Sequence, residues 1–306
     1  MSSVPGAKVS SDVAFDAPAT RRILDVACRE QGLNSIGAEL MRLGENAVYR
    51  LRDNPIVARI ARHADSSRKE VDVARWLAEY DFPAVRLFEE LEQLVVVDGR
   101  IITWWNLIER HSRPPEFIEL AAMLRQLHDV PAPTSFQLPP FTPMSRVPER
   151  LDSAPQAVTE SDLGYLRDLH ERLQNQYAAL TFQLQPGPIH GDAHVGNLIR
   201  DQDGIVRLID FEVFAWGPRE WDACIFGAAY RNFDWIDSDE YQYCASTYGW
   251  DPLQWQGFSV IRAVRELNMT TWLMQRNGES REIDDEIAKR VADLRQGDAV
   301  RRWRPF

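Results

Sequence analysis

The chain has 306 residues and a formal net charge of −11, because 46 aspartate and glutamate residues outnumber 35 lysine and arginine residues. Hydrophobic residues make up 44% of the chain and charged residues 26%, which excludes a collagen-like, coiled-coil or largely disordered chain. The acidic balance argues against a nucleic-acid partner, because such a partner needs a basic surface. No apolar run approaches the roughly 20 residues that cross a bilayer, so no membrane partner is expected.

The three cysteines, Cys28, Cys224 and Cys244, are far apart and form no CxxC pair. We therefore expect buried thiols and a reducing, cytoplasmic location. Residues 1–17 lack the apolar segment of a signal peptide and are expected to form a flexible arm. The length predicts two domains or lobes, and the protein is expected to be a monomer or homodimer.

Hydrophobic periodicity predicts a β-rich lobe over residues 18–105. Its first predicted elements are a helix at 20–31, strands at 39–43, 47–51 and 56–60, and a helix that begins at Ser67. Ser67 and Glu70 match a capping box at the start of this helix. Asp98-Gly99 lies between two β-rich runs and predicts a hairpin. Together these patterns predict five antiparallel strands with one inserted helix.

Residues 106–306 change to a mainly helical pattern and are predicted to form a larger lobe. The predicted helices cover 114–128, 161–180, 238–248, 252–276 and 281–294. Between them, 131–148 is proline-rich and 187–212 reads as short strands and loops. The predicted class is α+β, with a small antiparallel β lobe, a larger helical lobe and a ligand cleft between the two.

The densest chemistry lies between His190 and Glu212. Phosphoryl transfer from ATP needs a carboxylate that accepts the hydroxyl proton, and carboxylate and amide oxygens that hold divalent ions. Asp192 and Asn197 have the D-x-x-x-x-N spacing of a kinase catalytic loop. A hairpin turn after Asn197 would bring Asn197 and Asp210 to one end of a two-stranded ribbon, close enough to share metal ions.

Two motifs resemble the signature pair of the aminoglycoside phosphotransferase family: His190-Gly-Asp192-x-His194-x-x-Asn197 and Ile209-Asp210-Phe211-Glu212. Gly217-Pro-x-x-Trp221-Asp222 is similar to the segment that follows in that family. The resemblance implies a protein-kinase-like two-lobed fold, ATP or GTP and Mg²⁺ as cofactors, and a small-molecule hydroxyl acceptor.

The same resemblance implies roles for individual residues. Asp192 would be the catalytic base, while Asn197 and Asp210 would be Mg²⁺ ligands. His190 is assigned to the catalytic set as the brace of this loop, although a buried hydrogen-bonding role is equally compatible. His194, Trp221 and Asp222 are expected to be structural. The family's acceptors include aminoglycosides, other antibiotics, choline, sugars and amino-alcohols, so membership alone leaves the acceptor open.

The nucleotide end departs from the family at one position. The third strand carries Arg59 where the family usually has a lysine, and Glu70 is its expected ion-pair partner; arginine keeps the charge with a different geometry. No Walker or Rossmann motif is present, so the phosphates are expected under the turn that contains Gly44 and Asn46. The residues predicted to contact adenine are Val48 and Ala58 above, Ile199 and Ile209 below, and the backbone of Trp104, Trp105 and Asn106. The two adjacent tryptophans could equally serve as packing between the lobes.

The acceptor end is less defined. The stretch 232–241 is acidic and aromatic, which suits a cationic or amino-sugar substrate. The same acidic residues could instead cap a helix N-terminus. The residues predicted to face the acceptor are Glu212, Asp234, Trp235, Glu266 and Trp272. Glu212 could instead be a structural carboxylate, and core or surface positions are equally compatible with the pattern of Glu266 and Trp272.

Two other interpretations stay open. Arg59 would also suit a nucleotide-binding pseudokinase or regulatory protein without turnover. His190, Asp192 and His194 could form a metallohydrolase site on an extended segment, where alternate side chains share a face. That second interpretation leaves Asn197 and the second motif unexplained.

Overall fold

A computed structural model of the protein describes residues 15–62, 66–153, 158–297 and 300–304. Most of the predicted arm, residues 1–14, lies outside the described residues. The strands are Glu39–Leu43 (β1), Asn46–Arg50 (β2), Ile56–Ala61 (β3), Val95–Val97 (β4), Arg100–Asn106 (β5), Gly187–Ile189 (β6), Leu198–Arg200 (β7), Val206–Leu208 (β8) and Ala215–Gly217 (β9). The α-helices are Ala17–Glu30 (α1), Ser67–Glu79 (α2), Phe117–His128 (α3), Val147–Asp152 (α4), Glu160–Ala178 (α5), Glu220–Arg231 (α6), Ser238–Tyr248 (α7), Phe258–Met274 (α8) and Arg281–Arg295 (α9).

The chain divides into two compact units. The N-terminal unit comprises the described residues of 1–114 together with 197–213, and the C-terminal unit comprises those of 115–196 and 214–306. The predicted lobe limits, 18–105 and 106–306, remain a prediction.

The N-terminal unit contains a five-stranded antiparallel sheet in the order β1-β2-β3-β5-β4. Alternate strand residues point to the same face, and one face carries Ala58 and Trp104, which pack with Ile23 and Leu24 of α1. Helix α2 connects β3 to the second half of the sheet. The predicted class, an antiparallel β lobe with an inserted helix and a separate helical region, is confirmed.

Two local predictions in this unit have different outcomes. Asp98 and Gly99 have φ values of 49° and 75°, the left-handed conformations that a tight hairpin turn requires, as Asp-Gly predicts. The predicted capping box is wrong. Ser66 is the N-cap of α2 and makes no side-chain cap hydrogen bond, while the Glu70 carboxylate is bonded to Arg59 instead.

The predicted ribbon is formed by β7 and β8, which pair Leu198 with Leu208. Its turn is organised by Asp201, whose carboxylate accepts hydrogen bonds from the backbone N–H of Asp203 (3.1 Å) and Ile205 (2.8 Å). At the other end of the ribbon, the backbone N–H of Ile209, the residue before Asp210, donates to the carbonyl of Asn197 at 3.0 Å. The ribbon therefore brings Asn197 and Asp210 to one end, as its turn predicts.

The C-terminal unit is mainly helical around its own apolar core. Its short β6–β9 pair needs glycine at 217, because a Cβ there would lie 2.6 Å from the Cβ of Phe141. Helix α6 was not predicted: Trp221 to Ala229 are all buried, so the segment lacks the one-sided periodicity that marks a surface helix. No helix among the described residues has the length and apolar character needed to span a bilayer.

Candidate functional site

The catalytic loop predicted around Asp192 is held in the C-terminal unit by the first turn of α6. The carboxylate of Asp222 is completely buried and accepts hydrogen bonds from the backbone N–H of His190 (2.7 Å) and of Gly191 (3.0 Å). The indole N–H of Trp221 donates to the carbonyl of Gly191 at 2.7 Å. These bonds fix the backbone immediately before Asp192, so the structural roles predicted for Trp221 and Asp222 are confirmed.

Asp222 has a third partner in the buried ring of His128, whose Nε2 lies 3.2 Å from the carboxylate. The Nδ1 of His128 is in turn hydrogen-bonded to the hydroxyl of Tyr248 at 2.7 Å. Burial alone would raise the pKa of Asp222, but the hydrogen bond with His128 and the interactions with His190 outweigh it and lower the pKa. The buried group therefore stays a carboxylate.

Asp192 itself has a side chain that is 57% exposed, in contrast to the buried residues around it. Its Oδ2 lies 3.5 Å from Nε2 of His194. Desolvation acts to raise the pKa of Asp192, but hydrogen bonding to His194 and the charges of His194, His190 and Arg265 lower it below its ordinary value. The side chain is thus ionised at neutral pH and accessible to solvent.

The histidines of the motif lie in different surroundings. The ring of His190 is fully buried, packs edge-on against Phe214 with centroids 5.3 Å apart, and accepts the N–H of Asp192 at Nδ1 (3.3 Å). These contacts suit a loop brace rather than a group that touches reacting atoms. His194, expected to be structural, lies directly beside the candidate base. Among the described residues, no three His, Cys, Asp or Glu side chains gather as a metal cluster.

Arg265 of α8 is a site residue that the sequence analysis missed. Its buried guanidinium donates to the carbonyl of Trp221 and lies 4.5 Å from the centroid of the Trp221 ring. It therefore supports the residue that holds the catalytic loop and adds positive charge near Asp192. An arginine within a helical pattern carries no signal for such a position, because most arginines are exposed.

A second group of polar side chains lies in the N-terminal unit, centred on Arg59; we call it the strand-cation cluster and define it as Asn46, Arg59, Glu70, Asp210 and Glu212. Nη1 of Arg59 forms the predicted ion pair with Glu70. Nη2 of Arg59 lies 3.7 Å from Asp210 and 3.5 Å from Glu212. With the amide of Asn46 oriented toward the guanidinium, its oxygen accepts from Nε (3.1 Å) and Nη2 (2.7 Å) of Arg59.

The two side chains of the Arg59–Glu70 ion pair differ in solvent exposure. The side chain of Glu70 is 4% exposed and that of Arg59 is 15% exposed. Desolvation raises the pKa of Glu70, while the charge of Arg59 and a hydrogen bond with Ser66 act in the opposite direction. The predicted ion pair is present, and Arg59 has the buried carboxylate of Glu70 as its partner.

Asp210 has φ 67°, a left-handed conformation that is uncommon outside glycine and is best tolerated by Asp and Asn. Its side chain is 31% exposed, and Asn197 lies at the same end of the ribbon. Carboxylate and amide oxygens are hard donors of the kind that Mg²⁺ takes alongside nucleotide phosphates. The two residues therefore fit the predicted metal ligands, which remain a prediction.

Lys69 is a second residue that the sequence analysis missed. It precedes Glu70 in the first turn of α2, and its ammonium donates to the backbone carbonyl of Glu212. Desolvation lowers the pKa of Lys69, whereas the charges of Glu70, Glu212 and Asp210 act to raise it. Only one feature of the sequence could have indicated this position: Lys69 is adjacent to Glu70, the predicted ion-pair partner of Arg59.

The predicted adenine roof needs a correction. Val48 pairs with Arg59, and Tyr49 pairs with Ala58, so Val48 and Ala58 point to opposite faces of the sheet. Ala58 is fully buried in the core against α1 and cannot share a surface with Val48. Val57, which was not predicted, lies on the face of Val48 and Arg59.

Two backbone N–H groups of β5 have hydrogen-bond partners within the N-terminal unit. The N–H of Trp104 donates to the side chain of Gln93 (3.0 Å), and the N–H of Asn106 donates to the carbonyl of Arg86 (2.9 Å). Both N–H groups are thus used within the unit, and the contact of the Trp104, Trp105 and Asn106 backbone with adenine stays a prediction. The ring of Trp104 lies in the core against α1, while Trp105 is on the opposite face.

Three further nucleotide-site predictions are neither supported nor opposed by their positions. The carbonyl of Gly44 accepts a hydrogen bond from Nε of Arg62 at 3.1 Å. Ile199 and Ile209 are half-buried in the ribbon. All three stay predictions.

The predicted acceptor residues lie in different local surroundings. Glu266 is buried, with Nη2 of Arg301 3.3 Å away, and its contact with a substrate stays a prediction. Trp272 packs against the helical core. Glu212 belongs to the strand-cation cluster of the other unit.

The acidic stretch mainly caps a helix. The side chain of Asp237 accepts from the backbone of Asp239 and Glu240, forming a capping box at α7, as the alternative interpretation has it. Asp234 is exposed, and Trp235 is 38% exposed and stacks on Phe233 with centroids 4.4 Å apart. Asp234 and Trp235 therefore remain the accessible members of the predicted acceptor set.

A model of the phosphotransferase enzyme family matches residues 42–258, which is more than half of the chain, and the protein belongs to this family. The match includes every residue of the strand-cation cluster and of the catalytic loop. Among curated proteins, none matches the sequence significantly.

Solved structures of kinases share the fold. Amicoumacin kinase in complex with AMP-PNP, Ca²⁺ and its ligand has a TM-score of 0.66 and 12% identity, covering 90% of this chain and 93% of that one. The choline kinase LicA from Streptococcus pneumoniae gives a TM-score of 0.64 and 14% identity, with 89% and 97% of the two chains covered. Spectinomycin phosphotransferase with ADP and spectinomycin gives 0.62 and 15%, with 90% and 98% covered.

Proposed function

We propose that the protein is an ATP- and Mg²⁺-dependent phosphotransferase that moves the γ-phosphoryl group to a hydroxyl of a small molecule. The observation that carries this proposal is the state of Asp192: an exposed, ionised carboxylate on a loop fixed by Asp222 and Trp221. Five residues later the chain reaches Asn197, whose ribbon end also holds Asp210. Family membership supports the same reaction class.

In the proposed reaction the acceptor oxygen forms a bond to the γ-phosphorus, and the bond from that phosphorus to the β–γ bridging oxygen breaks. ADP carries away the electron pair of the broken bond, and Asp192 accepts the hydroxyl proton. Asn197 and Asp210 would hold Mg²⁺, which neutralises phosphate charge when bound. Arg59 would stay paired with Glu70 and keep the cluster in position.

The acceptor class is proposed from charge and from the relatives. Amicoumacin and spectinomycin are ligands in two similar structures, and a third similar protein is a choline kinase. The protein's net charge of −11 suits a cationic acceptor. We therefore propose an aminoglycoside, another cationic antibiotic or an amino-alcohol, and a cytoplasmic location in which buried Cys28, Cys224 and Cys244 stay unpaired.

The test is a screen for acceptor-dependent ADP or GDP production over aminoglycosides, other antibiotics, sugars and amino-alcohols with Mg²⁺. A product heavier than the acceptor by one phosphoryl group would identify the acceptor. Asp192→Ala should remove this signal. Asp285→Ala, a change at an exposed aspartate of α9, is the matched control and should retain it.

One observation favours a second candidate, a nucleotide-binding protein without turnover. Glu70, Asn46, Asp210 and Glu212, which surround Arg59, are all acceptors of the protein itself, so the strand cation is engaged before any nucleotide arrives. Nucleotide binding by calorimetry, combined with no phosphorylated product from the whole panel, would support this candidate and contradict the first.

A further inference from the structure

The strand-cation cluster leaves Arg59 heavily engaged. Its Nη1 bonds to Glu70, and its Nε and Nη2 face the oxygen of Asn46. Nη2 also faces Asp210 and Glu212 at 3.7 and 3.5 Å. A nucleotide phosphate that approached Arg59 would compete with these acceptors for the same N–H groups.

The net charge of the strand-cation cluster also disfavours a phosphate at Arg59. Three carboxylates, Glu70, Asp210 and Glu212, surround one guanidinium, which leaves a formal charge of −2. Electrostatic interactions at half-buried positions are several times stronger than in water. Without Mg²⁺ the cluster would therefore repel a polyphosphate. Mg²⁺ held by Asn197 and Asp210 would offset part of this charge but would supply no hydrogen-bond donor to the phosphates, whereas a side-chain cation beside the cluster would supply both charge and donors.

Lys69 lies at this position. Its ammonium donates to the backbone carbonyl of Glu212, a neutral acceptor, and it interacts with Glu70, Asp210 and Glu212. Including it, the formal charge of the group becomes −1. An ammonium on a four-carbon stem is a compact charge with three rotatable donors, so it can reach a phosphate while the planar guanidinium of Arg59 stays in place.

We propose that Lys69 is the residue of α2 that contacts the terminal phosphates of the nucleotide, in place of the lysine that the third strand lacks. Arg59 is then a positioning residue that holds Glu70, Asp210 and Glu212 together. This inference rests on the proposed function, because it assigns a contact within the proposed nucleotide site.

The test compares nucleotides that differ in phosphate number. Binding of AMP-PNP and of AMP, each with Mg²⁺, is measured by calorimetry for the full-length protein and for Lys69→Gln. We expect the affinity for AMP-PNP to fall about ten- to hundredfold, as for one charge-assisted hydrogen bond. The affinity for AMP should change less than about twofold, because AMP lacks the terminal phosphates.

The matched control is Arg68→Gln, which removes a positive charge from an exposed neighbour in the same helical turn. It should bind both nucleotides like the unmodified protein. Thermal unfolding without nucleotide separates a structural role: if Lys69 only fastens α2 to Glu212, Lys69→Gln lowers the melting temperature and weakens AMP and AMP-PNP equally.

Three outcomes overturn the inference: unchanged AMP-PNP binding in Lys69→Gln, an equal loss for both nucleotides, or the same loss in Arg68→Gln. If the unmodified protein phosphorylates an acceptor while Lys69→Gln binds AMP-PNP normally, the inference fails and the proposed function stands. If the unmodified protein binds no nucleotide, both fail together.

Discussion

Replacement of Asp222 by alanine tests the support of the catalytic loop. The carboxylate is completely buried and accepts from the N–H of His190 (2.7 Å) and Gly191 (3.0 Å), with His128 at 3.2 Å. Asp222→Ala leaves three buried polar groups without this partner, at about 1–3 kcal/mol each. Summed over the three groups, we expect a loss of at least about 3 kcal/mol.

The assay is urea unfolding followed by circular dichroism, which gives the free energy of unfolding from the midpoint and slope. The control is Asp285→Ala, whose side chain is 74% exposed and 3.8 Å from Arg281, and which should change stability by less than about 1 kcal/mol. A loss below about 1 kcal/mol for Asp222→Ala would refute the reasoning, since it would mean that the three donors find other partners.

The direction in which pH changes the stability contribution of Asp222 follows from its pKa shift. The pKa of Asp222 is lower in the folded protein than its ordinary value of 3.8. Its stabilisation is therefore complete above pH 3.8 and is lost as the pH falls through the lower, folded-state pKa. The stability difference between Asp222→Ala and the unmodified protein should be constant from pH 5 to 7 and shrink only below about pH 4.

Three substitutions and one metal-removal experiment test other parts of the structure. Gly217→Ala should lower stability by about 1–3 kcal/mol in thermal unfolding, because its Cβ would meet Phe141 at 2.6 Å; an unchanged melting temperature would contradict that packing. Ala58 is a fully buried core residue, so Ala58→Leu should lower stability by a similar amount. Val57→Ala should weaken AMP binding with little loss of stability. If Ala58→Leu weakened AMP binding and Val57→Ala instead lowered stability, Ala58 would again be assigned to the adenine site. Chelation with EDTA should stop phosphoryl transfer and excess Mg²⁺ should restore it, and turnover that persists in EDTA would exclude a role for a divalent ion.

The sequence predicted those features that local chemistry determines. The Asp98-Gly99 turn, the alternation of strands and the pairing of Arg59 with Glu70 all follow from patterns within short segments or from motif spacing. The position of Asn197 beside the end of β8 also follows, because a two-stranded ribbon with one turn has only one way to close.

The features that the sequence did not predict depend on which face of a strand or helix is buried against the rest of the fold. The motif identifies the strand of Arg59, yet the choice between Val57 and Ala58 depends on register, which a one-residue shift reverses. Arg265 and Glu266 are adjacent charged residues in α8, and both are buried. Their burial is determined by distant partners, Trp221 and Arg301, which no local pattern specifies.

The most direct test of the account is the turnover of Asp192→Asn with an acceptor found in the screen, measured together with nucleotide affinity. Because the amide cannot accept the hydroxyl proton, we expect kcat to fall about 10²- to 10⁴-fold, while AMP-PNP binding with Mg²⁺ stays within about threefold of the unmodified protein. A variant that retains the kcat of the unmodified protein would contradict the assignment of Asp192 as the base.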